Sequence, residues 1–88
     1  MPYSVGMSDA ELIQHQLALL EFEAQAPRSA GAKEDAIVAT FGISPIRYYQ
    51  QLNVAIDQPA VMQRFPSLSA RLRRIRDTRA NARMNKRD

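Results

Sequence analysis

Arg47, Gln50 and Gln51 lie within five residues of one another, and they are side-chain types that discriminate base edges in a DNA groove. Arginine can donate two hydrogen bonds to guanine, and a glutamine amide can pair with adenine. Between them stand Tyr48 and Tyr49, which project from different sides of a helix, so that both cannot enter one core. The expectation is that Tyr49 packs inward while Tyr48 lies nearer the surface and offers its hydroxyl to a phosphate. A second group occupies the end of the chain. Arg71, Arg73, Arg74, Arg76, Arg79, Arg83, Lys86 and Arg87 face only Asp77 and Asp88 in residues 67–88. Cations at that density neutralise phosphates and release counterions, giving affinity that depends strongly on salt and little on sequence.

The net charge of +3 conceals an asymmetry. Residues 1–35 hold six acids and two bases, residues 36–66 hold two bases and one acid, and the basic excess falls in the last 22 residues. Such polarity points to a polyanionic partner. Catalysis is not expected. Glu21 and Glu23 are two residues apart and point to different sides of a helix, so they do not form an acid–base pair. There is no cysteine, a single histidine cannot assemble a metal site, and no Gly-rich phosphate loop is present. No catalytic, cofactor-binding or metal-binding residues are therefore assigned. Apolar runs fall short of the roughly 20 residues that span a bilayer, and the N-terminus lacks a basic region followed by an apolar stretch, so a soluble cytoplasmic protein is expected. Binding to single-stranded RNA would need an aromatic stacking platform that the sequence does not offer.

The elements that must position these residues are helices. From Lys33 to Ile56 the chain reads as helix, turn, helix, with Ile37, Phe41, Ile43 and Leu52 spaced to meet between two crossed helices. Gly42 suits the corner because a tight connection needs positive φ, and Ser44-Pro45 marks a helix start, the serine as cap and the proline at the first position. The second helix is predicted from about Ala32, after a linker Arg28 to Gly31, and the third runs to about Asp57. Its inner face should be Ile46, Tyr49, Leu52 and Ile56.

Upstream, Ser8-Asp9-Ala10-Glu11 matches a capping box, followed by a stripe of Ile13, Leu17, Leu20 and Ala24. Leu12, Leu19 and Phe22 widen that apolar surface, which fits either a helix wrapped on two sides or a dimer seam. His15 is expected on the solvated surface. Downstream, a short helix is predicted from Pro59 to Arg64, and Ser67 caps a final helix with the stripe Leu68, Leu72 and Ile75, after which packing should cease. The chain thus divides into a flexible arm at 1–7, a helix-turn-helix domain at 8–75 and a basic extension at 76–88. The expected fold is all-α, a small domain of four to five helices.

The run GAKEDAIVATFGISPIRYYQQLNVAIDQP, with RLRRIRD at Arg71 to Asp77, resembles a family of small actinobacterial proteins catalogued as a domain of unknown function. The likeness extends from about Leu12 to Arg79. Where that family often has a tryptophan-rich turn after the first helix, this chain has Ala24 to Ser29 without an aromatic residue. The family includes a mycobacterial nucleoid-associated protein, which implies DNA binding with effects on replication or transcription. The combined expectation is a nucleoid-associated or transcription-regulatory protein, monomer or homodimer, that binds double-stranded DNA with modest sequence preference. The alternative is an interaction module for an acidic partner in the replication or transcription machinery.

Overall fold

The computed structural model describes residues 8–87, with side chains of the last helix described as far as Ala82. The arm expected at residues 1–7 lies outside the described residues, as do the side chains of Arg83, Lys86 and Arg87 and the terminal Asp88. Five helices follow in order: α1 (Asp9–Gln25), α2 (Ala30–Phe41), α3 (Pro45–Ala55), α4 (Pro59–Arg64) and α5 (Pro66–Arg87).

The helix starts follow from local chemistry. At α1 the capping box forms in full: the Glu11 amide donates to Ser8 Oγ at 3.2 Å and the Ser8 amide donates to Glu11 Oε1 at 2.9 Å. Asp9 and Glu11 also oppose the positive end of the helix dipole. The second helix begins two residues earlier than expected, because Ser29 Oγ accepts from the Ala32 amide and draws Ala30 and Gly31 into the first turn. Gly42 closes α2 with φ 69°, and its amide donates to the Val38 carbonyl at 2.9 Å. Ser44 caps α3 through the Arg47 amide, with Pro45 at the first position. The final helix starts at Pro66 rather than after Ser67. Phe65 precedes a proline and is pushed out of helical conformation, to φ −128° and ψ 63°, which breaks α4 from α5.

The core joins Leu19 and Leu20 of α1, Ile37 of α2, Tyr48, Leu52 and Ala55 of α3, then Ile56 and Val61. Phe22, Phe41 and Tyr48 form an aromatic cluster where α1, α2 and α3 meet, with ring centroids 5.4–5.7 Å apart. Because α1 contacts α3, α4 and α5, its buried face is Gln16, Leu19 and Leu20. Leu19, which lay off the expected stripe, is fully buried, while Ala24 on that stripe is exposed. Gln16 is buried with its Oε1 accepting from Gln58 Nε2 at 3.2 Å. Ser69 of α5 is buried without a hydrogen-bond partner for Oγ.

The third helix is rotated only partway from the expected orientation: Leu52 and Ile56 are buried as expected, but Tyr48 and not Tyr49 or Ile46 lies with them. Tyr48 is fully buried, whereas Tyr49 is 37% exposed and Ile46 is 74% exposed. The cause is long-range: Tyr48 meets both phenylalanines and donates its hydroxyl hydrogen to Glu23 Oε1 at 2.6 Å. The phosphate contact expected of Tyr48 is therefore corrected. A fully buried hydroxyl already bonded to a carboxylate cannot reach a ligand.

Candidate nucleic-acid interface

With Tyr48, Leu52 and Ala55 turned inward, the outward face of α3 carries Ile46, Arg47, Gln50 and Val54, all exposed. Arg47 lies in the first turn, the part of a recognition helix that faces bases in helix-turn-helix proteins. Gln51 does not join it. It is half-buried, and the His15 imidazole Nε2–H donates to its Oε1 at 2.8 Å. His15 is accordingly not a solvated residue but a link between α1 and α3, with its ring 6.1 Å from that of Phe41. Of the three residues expected to face bases, Arg47 and Gln50 stand outward together, and Gln51 is held against α1.

The arginines of α5 divide into two kinds. Residues Leu68, Ser69, Leu72 and Arg76 form its inward stripe, so Arg76 takes the place expected of Ile75, which is 43% exposed. Arg76 donates through Nη1 and Nη2 to the two oxygens of Asp57 at 2.9 and 3.2 Å. It also donates to the Asn53 carbonyl at 3.1 Å and to Asp77 Oδ1 at 3.2 Å. Asn53 lies in the last turn of α3, where carbonyls lack helical partners and a cation opposes the negative end of the dipole. Arg76 thus caps α3 from α5. The hydrogen bond to Asp57 outweighs an opposing effect of burial and raises the guanidinium pKa above its ordinary value. Arg73 pairs with Asp57 at 3.4 Å and donates to Met62 Sδ at 3.3 Å.

These contacts correct the picture of a uniformly free basic arm: Arg73 and Arg76 are committed to holding α5 against the end of α3. Arg71, Arg74 and Arg79 are exposed and have no ion pair among the described residues. Arg71 and Arg74, three apart, share one face of the helix. The division has a measurable consequence. Arg76→Ala is expected to destabilise the fold by about 1–2 kcal/mol, a bidentate and capping interaction discounted for the exposure of Asp57. Arg74→Ala should change stability by less than about 0.5 kcal/mol. Parallel urea titrations followed by circular dichroism would distinguish the two.

Beneath α3 lies a polar cluster that the sequence analysis did not identify. Glu23 Oε2 accepts from Lys33 Nζ at 2.7 Å while its other oxygen accepts from Tyr48, so one carboxylate ties the end of α1 to α2 and α3. The Lys33 ammonium also lies 5.2 Å from the centre of the Tyr49 ring. Burial pulls the Lys33 pKa down, but hydrogen bonding and attraction to Glu23 and Tyr49 outweigh it and the result is raised. Burial first, then the Glu23 carboxylate, push the Tyr48 hydroxyl well above the ordinary tyrosine value. The available signal was that Glu23 continues the three-and-four spacing of Gln16, Leu19 and Leu20, which puts it on the buried face of α1. Its geometry is that of a structural clasp, not of an acid–base pair.

The described residues therefore make an all-α domain in which α2, a three-residue turn and α3 form a helix-turn-helix buttressed by α1 and by a long basic helix. Residues 11–84 match the family described as "Protein of unknown function (DUF3263)", and the chain belongs to that family. No curated protein and no solved structure matches it. Among the described residues no helix is long and apolar enough to cross a membrane.

Proposed function

We propose that the protein binds double-stranded DNA with modest sequence preference, as a nucleoid-associated or transcription-regulatory protein acting in the cytoplasm. The observation that carries this reading is the outward face of α3, where Arg47 and Gln50 are exposed on the second helix of a helix-turn-helix whose opposite face is buried. In this arrangement α3 lies in the major groove and the outer arginines of α5 follow phosphates. The role is one of binding, without chemistry on the nucleic acid.

A second reading is supported by a specific feature of the same face. Ile46 is 74% exposed and Val54 is 65% exposed. Apolar side chains there can meet thymine methyl groups, but they also suit a protein partner in the replication or transcription machinery. Fluorescence anisotropy with labelled duplexes of different sequence, across a salt series, separates the readings. DNA binding predicts affinity that falls steeply with salt. Arg47→Ala should weaken some duplexes by about 1–3 kcal/mol and others by much less. A uniform loss would remove the base-reading role of Arg47, and no binding to any duplex at low salt would favour the protein partner.

A further inference from the structure

Between α3 and α5 is a cleft of about 360 Å³ that includes Leu52 and Asn53 on one wall and Leu72, Ile75 and Arg79 on the other. Glu23 and Lys33 of the clasp line it as well, as does Tyr49. The space is at the lower end of the range that encloses small ligands. Its chemistry is two-sided. Leu72 and Ile75 offer an apolar surface, with Leu52 of the core behind them, and Ile75 keeps 43% exposure although it stands beside the packed face of its helix. The lining also carries three cations, Lys33, Arg76 and Arg79, against the single carboxylate of Glu23.

Two of those cations are already engaged, Lys33 by Glu23 and Arg76 by Asp57. Arg79 is not, among the described residues. It follows Leu72 by seven positions and Arg76 by three, which places it on the inward side of α5, over the cleft and away from the face shared by Arg71 and Arg74. A guanidinium lining a cleft that is part polar and part apolar matches a carboxylate in fork geometry. We infer that this cleft binds a small organic anion with an apolar body, of the aryl- or alkyl-carboxylate class, its head on Arg79 and its body against Leu72 and Ile75. The inference does not depend on DNA binding, since the cleft lies on the side of α3 away from Arg47.

The test uses the full chain, ¹⁵N-labelled, titrated with 4-phenylbutyrate in the millimolar range. The expected result is saturable shifts of the Tyr49, Asn53, Ile75 and Arg79 amides. Binding should be weaker by about tenfold or more for 4-phenylbutan-1-ol, which lacks the charge, and for acetate, which lacks the body. Arg79→Ala, an exposed position, should weaken 4-phenylbutyrate by a similar factor. Absence of shifts at these amides overturns the inference, as does equal binding of the alcohol or of acetate. An unchanged response in Arg79→Ala overturns it too, and the dispersion of that variant's spectrum shows that it is folded.

Discussion

Glu23→Ala is expected to lower the free energy of unfolding by about 3 kcal/mol, a large share of the total for a domain of this size. The substitution removes both acceptors of the clasp at once. Tyr48 is fully buried, so its hydroxyl, which now donates to Glu23 at 2.6 Å, would keep its desolvation cost without a partner, about 1–3 kcal/mol. Lys33, with its side chain 18% exposed, would lose its counterion and could recover only part of the difference by extending its ammonium to water. Glu23→Gln, which keeps an acceptor for Tyr48 but not the ion pair, should cost less, about 1 kcal/mol. Urea denaturation would report each loss as a lower midpoint at unchanged slope. No change for Glu23→Ala would mean that aromatic packing by Phe22 and Phe41 alone holds Tyr48 inward.

The same clasp gives the fold an alkaline limit. Lys33 and Tyr48 both have folded pKa values raised above the ordinary 10.5 and 10.0. In each case the unfolded chain loses its proton first as pH rises. Their contribution to stability is therefore full below about pH 10 and is lost as pH climbs toward the raised values, by up to about 1.4 kcal/mol per pH unit for each group. Tyr48→Phe should remove the tyrosine part of that slope while leaving the lysine part.

What could be seen in advance was what is local. The capping box at Ser8, the left-handed Gly42 and the Ser44-Pro45 start each depend on residues within four positions, and the element order follows from them. Which side of a helix turns inward is decided at a distance. Tyr48 and Tyr49 are chemically alike, and the choice between them rests on Glu23, 25 residues earlier, and on Phe22 and Phe41. Gln51 looks like a base-reading residue until His15 of another helix occupies its carbonyl. Counting charges treats every arginine of α5 alike, yet Asp57, an isolated acid just past the end of α3, selects Arg76 and Arg73. The three-and-four spacing from Leu68 and Leu72 marked Arg76 as inward, but an apolar residue at the neighbouring Ile75 masked it.

That distinction determines where the basic helix can be cut to test the proposed DNA binding. Removing residues 76–88 would delete the cap on α3, so that any loss of proposed phosphate contacts would be confounded with a displaced α3. Removing residues 79–88 keeps Arg76 and deletes Arg79, Arg83, Lys86 and Arg87 together with Asp88. Residues 77–82 are exposed throughout. The truncated protein should keep its urea midpoint. If the arm follows phosphates, the truncation weakens every duplex in the same proportion and reduces the slope of log affinity against log salt by as much as about 3–4 units, near one for each cation withdrawn. Arg47→Ala should do the opposite, changing the ranking of duplexes while lowering the slope by about one unit at most. A truncation that left the slope untouched would confine phosphate binding to the exposed arginines nearer the body, Arg71 and Arg74. A truncation that changed the ranking of sequences would mean that the end of α5 itself reaches base edges, and the proposal that α3 alone reads the groove would fall.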